Sequence, residues 1–93
     1  MSPPPPIRRP VLARGTRYRW DELRRQHQVV FPEGVLVLNE TGAAVVRLCD
    51  GRSTEELVAA LEAEFPGSHP AGDVAEFLER LARKGLLRDD ADA

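Results

Sequence analysis

Chemistry in a chain of 93 residues needs acids, bases, nucleophiles or metal ligands brought together, and this sequence scatters them. The two histidines, His27 and His69, lie far apart, and neither has a cysteine, histidine or carboxylate at metal-ligand spacing. His27 falls in a strand pattern and His69 in a loop before Pro70, so both read as ordinary surface or half-buried histidines. The single cysteine, Cys49, falls on an apolar helical stripe, where a thiol behaves as a small hydrophobe. Arg47 and Arg52 are its only basic neighbours, too little to activate a nucleophile. Glu55 and Glu56 open a helix, and Glu62 and Glu64 read as its solvated face, so no general acid–base pair is implied. The glycines stand singly and form no phosphate-cradling loop. These residues point away from an enzyme, and no cofactor or metal is expected.

The elements that would position a site are more legible. Arg17-Tyr18-Arg19-Trp20 alternates charged and aromatic residues, the period of a half-buried strand, with Tyr18 and Trp20 expected toward the core. Residues 21–26 read as a polar connection. Strands follow at about 27–31 and 35–38, joined through Phe31-Pro32-Glu33-Gly34-Val35, which predicts a three-residue loop with Gly34 left-handed in a G1 bulge. Asn39 is a good N-cap for the helix that follows, whose stripe is Thr41, Val45, Leu48 and Cys49 and which Asp50-Gly51 stops. Ser53 to Glu56 matches the S-x-x-E capping box. Behind it Leu57, Leu61 and Phe65 repeat every four residues until Pro66-Gly67. A third helix, starting between residues 70 and 73, carries the stripe Val74, Phe77, Leu78 and Leu81. Arg80, Arg83 and Lys84 complement the dipole in its last turns, and Gly85 and Leu86 predict a Schellman stop. The expected fold is α+β: a three-stranded antiparallel sheet followed by three helices, winged-helix-like. One domain is expected over 11–88, after a Pro-rich, extended and mobile lead at 1–10 and before an acidic tail at 89–93.

Size and charge narrow the function further. A chain this short buries only about two thirds of its unfolded surface, which disfavours a deep active site. A lone cysteine rules out an internal disulfide and fits a reduced, cytoplasmic setting. No apolar run approaches the roughly 20 residues of a membrane span, and residues 1–6 lack the apolar core of a secretory signal. The formal net charge of −2 is uneven. Residues 1–38 hold seven arginines against three acidic groups, and residues 39–93 hold six basic groups against twelve acidic ones.

Two binding readings follow. A winged-helix DNA-binding or regulatory module would use the third helix for recognition, yet that helix opens Asp73-Val74-Ala75-Glu76, the wrong sign for phosphate. Alternatively the last strand, Val35 to Leu38, is an open sheet edge that accepts an extended peptide by β-augmentation. Bare apolar edges are usually blunted, and neither Lys nor Pro interrupts this one. A covering helix, or a homodimer that buries the strand, is the competing use.

The same residues resemble the PqqD family, the peptide chaperones of pyrroloquinoline quinone (PQQ) biosynthesis and a type of RiPP recognition element. The resemblance rests on RYRWDE at 17–22, FPEGVLVLNETGAAVVRLCDG at 31–51, STEEL at 53–57 and DVAEFLERLARKGLL at 73–87. It implies three strands followed by three helices. It also implies a carrier that binds the ribosomal precursor peptide PqqA and presents it to the radical SAM enzyme PqqE. The chain itself has no C-x-x-x-C-x-x-C, which agrees with a carrier and not a catalyst. By position, the resemblance assigns backbone pairing to Val35, Leu36, Val37 and Leu38. It assigns an apolar floor to Val74, Phe77, Leu78 and Leu81, about half of which are expected to touch peptide. Arg80, Arg83 or Lys84 are left for acidic peptide side chains. The partners implied are PqqA and PqqE, with no nucleic acid and no membrane.

Overall fold

The structure, a computed structural model, describes residues 6–92. Strand β1 (Pro10–Leu12) leads into β2 (Arg17–Asp21), β3 (Gln26–Phe31) and β4 (Gly34–Leu38), then helices α1 (Glu40–Arg47), α2 (Thr54–Glu64) and α3 (Ala71–Arg83), and finally β5 (Leu87–Asp89) and a 3₁₀ turn at Asp90–Asp92. Strands β2, β3 and β4 form the expected antiparallel meander in that order. Strands β1 and β5 form a separate two-stranded ribbon that periodicity did not reveal.

Local chemistry sets the junctions. Between β1 and β2, Gly15 at φ +81° completes a turn in which the Thr16 N–H donates to the Ala13 carbonyl at 2.9 Å. A side chain there would be strained. Between β3 and β4 the expected three-residue loop is shorter. Phe31 pairs directly with Gly34, leaving Pro32-Glu33 as a two-residue turn. Gly34 joins the ladder and does not have positive φ, so its role is extended pairing and not a bulge.

The helix punctuation agrees with the sequence. Asn39 Oδ1 accepts the Gly42 N–H at 2.7 Å and starts α1. The Ser53 hydroxyl accepts the Glu56 N–H at 3.1 Å, while Glu56 Oε1 accepts the Ser53 N–H at 2.9 Å, closing the capping box. That backbone hydrogen bond holds the Glu56 carboxyl below its usual range. At the end of α3, Gly85 has φ +76° and its N–H donates to the Ala82 carbonyl at 3.0 Å. The Leu86 N–H donates to the Leu81 carbonyl, also at 3.0 Å, which is the Schellman pair of bonds.

The core lies between the sheet and the helices. Val29 and Leu38 face Val45 and Val46 of α1, Leu57 and Leu61 of α2, and Val74, Leu78 and Leu81 of α3. Helix α1 is more enclosed than a stripe implies. Ala43, Ala44, Val45 and Val46 are all buried, because the helix packs on the three strands of the sheet and on α2. Two small alanines suit that close approach. Thr41, expected on the buried stripe, is exposed. Tyr18 packs against the core as expected, but Trp20 stays 40% exposed. It shares the face of Tyr18 but sits on an outer strand beside the β2–β3 turn, where it covers the His27 ring edge-on and donates to Glu22 at 2.7 Å.

The ribbon ties the two ends of the domain together. Residues 1–5 of the Pro-rich lead lie outside the described residues, but residues 7–10 are fastened. The Asp89 carboxylate accepts the Arg8 and Arg9 N–H groups at 3.0 and 2.9 Å. The Ile7 carbonyl accepts the Thr54 hydroxyl at 2.6 Å, and the Pro10 carbonyl accepts the Gly51 N–H at 3.1 Å. Pro10 is fully buried and lacks only a donor it does not need there. Asp89, placed in an acidic tail by composition, is the last residue of β5 and the anion that holds β1 down.

Two predictions follow from these contacts. Ser53→Ala should cost about 1 kcal/mol, the usual worth of an N-cap side chain, measured by urea denaturation. Backbone N–H donation from Arg8, then from Ala91 and Arg9, holds the Asp89 carboxyl below its ordinary value, and the Arg52 side chain holds Asp50 down at about 2. Folded values below unfolded ones mean this stabilisation is present in full well above the unfolded value of about 4 and is lost as the pH falls through the folded values. Asp89→Asn should therefore melt at a lower temperature at neutral pH and lose less stability on acidification than the parent.

Candidate peptide-binding site

The distinctive feature of this surface is a strand that has found only one partner. Strand β4 pairs with β3 and with no other strand among the described residues. In a two-residue hairpin the closing pair, here Phe31 and Gly34, is the hydrogen-bonded one, and the bonding alternates along an antiparallel ladder. Leu36 and Leu38 therefore bond back to β3, while Val35 and Val37 turn their N–H and C=O groups outward. The side chains alternate as well. Leu38 is buried and Leu36 half-buried on the helix side, whereas Val35 and Val37 are 48% and 56% exposed on the outer face.

The other outer strand is differently dressed. Strand β2 presents Arg17 and Arg19, both exposed, and the Arg19 guanidinium is bound to Gln28 Oε1 at 2.6 Å. The Gln28 amide donates in turn to Asp21 at 3.1 Å. Charged side chains of this kind blunt an edge. The β4 edge carries none.

A groove runs between β4 and α3. Its volume is about 230 Å³, and its walls include Leu36, Val37 and Leu38 on one side and Phe77, Leu81 and Lys84 on the other. Of the α3 residues expected in a peptide floor, Phe77 alone is more than marginally exposed, and the groove is lined by Phe77 and Leu81. Phe77 is half-buried and reachable, and Leu81 closes the bottom of the groove at 1% exposure. Val74 and Leu78 are each 2% exposed and belong to the core, and Leu78 borders no depression. Arg80 and Lys84, one turn apart, are exposed on the rim, and the Arg80 guanidinium sits 5.6 Å from the Phe77 ring centroid. The remaining cation of that turn, Arg83, is paired with Glu79.

Two residues border the groove that sequence reasoning left aside, Asn39 and Gly42. Asn39 announces itself as a cap and hides its second position. Gly42 did leave a signal, since glycine inside a helix costs about 1 kcal/mol relative to alanine. Its reason is local: a Cβ there would lie 3.1 Å from Asn39 Oδ1 and 3.4 Å from Phe77 Cζ.

Nothing in this geometry resembles a reacting centre. The Tyr18 hydroxyl and His27 Nδ1 are hydrogen-bonded at 2.7 Å, and the His27 ring meets Trp20 edge-on at 4.9 Å between centroids. Cys49 is buried and donates to the Val45 carbonyl at 3.2 Å, and desolvation followed by the nearby Asp50 charge pushes its thiol up to about 12. Among the described residues, no three His, Cys, Asp or Glu side chains are grouped to hold a metal ion. No helix among the described residues is long and apolar enough to cross a membrane.

The chain is similar to several known proteins. The family described as "Coenzyme PQQ synthesis protein D (PqqD)" matches residues 26–87. A "PqqA binding protein" of Methylococcus capsulatus is 36% identical over 74 residues, 78% of this chain and 80% of that one. Another "PqqA binding protein", from Azotobacter vinelandii, is 43% identical over 72 residues, 75% and 78% of the respective chains. The solution NMR structure of the PqqD portion of Methylobacterium extorquens PqqCD superposes with a TM-score of 0.66 at 34% identity, covering 85% of this chain and 87% of that one. That protein is described as a functional, stand-alone RiPP recognition element.

A buried thiol held in its protonated form is a poor nucleophile. Native protein should leave Cys49 unmodified by iodoacetamide at pH 8 and become alkylated once urea unfolds it, as read by mass spectrometry.

Proposed function

The chain belongs to the PqqD family, and on that premise we propose that it binds the precursor peptide PqqA in PQQ biosynthesis and presents it to the radical SAM enzyme PqqE. The observation that carries the reading is the outward-facing backbone of Val35 and Val37 beside an apolar groove walled by α3. A bound segment of PqqA becomes a fourth strand next to β4. Val35 and Val37 supply its backbone partners. Leu36 and Leu38 set the pleat of β4 from within. Phe77 and Leu81 offer apolar contact under the peptide, over a base made rigid by Val74 and Leu78. Arg80 and Lys84 attract acidic side chains at the rim.

The magnitudes suit a carrier. Two outward N–H and two outward C=O groups give up to four hydrogen bonds, each worth about 0.5–1.5 kcal/mol net. Ordering the flexible peptide offsets part of this. A few buried apolar contacts bring the total toward the roughly −8 kcal/mol of a micromolar complex, which loads a peptide and still releases it. Presentation then needs no chemistry from this chain. It holds one stretch of PqqA extended and leaves the rest for the modifying enzyme. A second copy paired edge to edge through β4 would compete for the same backbone groups. Recognition of DNA through α3 finds no support, since Asp73 and Glu76 stand exposed in its first turns.

Val37→Pro removes an N–H that faces the open edge while leaving the β3 ladder intact, since proline is tolerated on edge strands. The variant should keep its helical circular dichroism and bind PqqA about fivefold or more weakly by calorimetry. Unchanged affinity in a folded variant would remove strand addition at β4.

A further inference from the structure

The groove beside β4 does not stop where the strand stops. It shares Asn39, Gly42, Phe77 and Arg80 with a larger depression of about 570 Å³. That volume lies within the roughly 300–1,000 Å³ of small-ligand pockets. The depression is framed by three helices: the start of α1, the end of α2 and the first turns of α3. Val45, Leu61, Phe65, Val74 and Phe77 give it apolar walls, and Thr41, His69 and Asp73 form its lip.

The path into it is fixed by the chain. After Leu38 the backbone turns at the Asn39 cap into α1, so a peptide paired with β4 has no further ladder to follow at that end. Continuing in the same direction takes it over Gly42 and past the Phe77 ring. Gly42 is the point where a side chain would fill the crossing, because its missing Cβ would stand 3.4 Å from Phe77 Cζ. The bare backbone keeps groove and pocket joined.

We propose that this three-helix pocket is a second recognition site, which receives one bulky apolar side chain, aromatic or branched, of the same peptide just beyond its β4-paired segment. The proposal rests on the strand-addition reading above and adds a specificity element to it. Backbone pairing alone accepts almost any sequence, since every residue but proline offers the same N–H and C=O groups. An apolar pocket at a fixed distance from the edge selects a peptide that carries a large side chain at one position. The apolar walls offer such a side chain burial out of water.

The test is calorimetric titration of synthetic PqqA, and of its variants with each bulky apolar residue changed in turn to alanine, into three full-length proteins. These are the parent, Val37→Pro, and Thr41→Phe, whose exposed position on the lip lets the new ring occupy the pocket. In the parent, one alanine replacement should weaken binding about tenfold or more. Thr41→Phe should weaken binding of unaltered PqqA to a similar degree, and the same replacement should then cost nothing further. If Thr41→Phe binds like the parent while Val37→Pro does not, the pocket is unused and strand addition stands. The pocket is equally overturned if Thr41→Phe weakens binding but no replacement loses its effect. If both variants bind like the parent, the β4 reading itself falls and the pocket falls with it. A second measurement is independent of any protein variant. In the parent complex, nuclear Overhauser contacts from the peptide should reach the methyl groups of Val45 and Val74, and their absence would overturn the proposal.

Discussion

Two valines on β4 hold backbone groups that must find partners somewhere, in water or in another chain. The rest of the structure depends on that constraint. Among the described residues, strand β3 takes up one flank of β4 and no strand takes the other. Nearby elements keep that flank open without wasting it. The Asn39 cap turns the chain away at once into α1, so the edge is not continued by the residues that follow it directly. Helix α3 stands far enough off to leave a groove and near enough to wall it. Aggregation through such an edge is a standing hazard, and α3 walls one side of it.

The position of α3 is therefore as important as the edge itself. One side of the helix is anchored by Val74, Leu78 and Leu81, which are almost wholly buried, and its end is fixed by the Gly85-Leu86 stop. This buried row has a use although a bound peptide would reach little of it, because it keeps Phe77, Arg80 and Lys84 at a set distance from β4. Residues that seem alike in a helical stripe thus separate into those that support a surface and those that form it. Exposure sets Phe77 apart from the other three, and it depends on how α1 and α2 pack behind them.

How much could be read from the sequence follows from how local each signal is. The meander, the capping box, the Asn39 cap and the Schellman stop are determined within a few residues, and all were legible. The turn at Pro32-Glu33 was legible as a turn, but its length depends on which residues pair across it, and Gly34 went to the ladder. Burial of Trp20 could not be read, because alternation gives the face of a residue and not the extent of the layer above it. The β1–β5 ribbon escaped for a different reason. Its strands have three residues each and are separated by nearly the whole chain, and one begins with the proline that ends a Pro-rich run. The edge half of the candidate site was visible as an uninterrupted apolar strand. The pocket half was not, since its walls come from three helices and meet only in three dimensions.

The clasp made by Asp89 acquires a mechanical meaning once the groove is considered. Strand β5 follows directly from α3 and is held by β1, which is itself fastened to the α1–α2 turn and the start of α2 through Gly51 and Thr54. The outer wall of the groove is thus tethered from behind, at a point remote from anything a ligand touches. Any shift of α3 away from β4 would have to carry this tether with it, so the ribbon helps to set the width of the groove. The ribbon, which looks like mere tidying of loose ends, is thus a brace behind the groove.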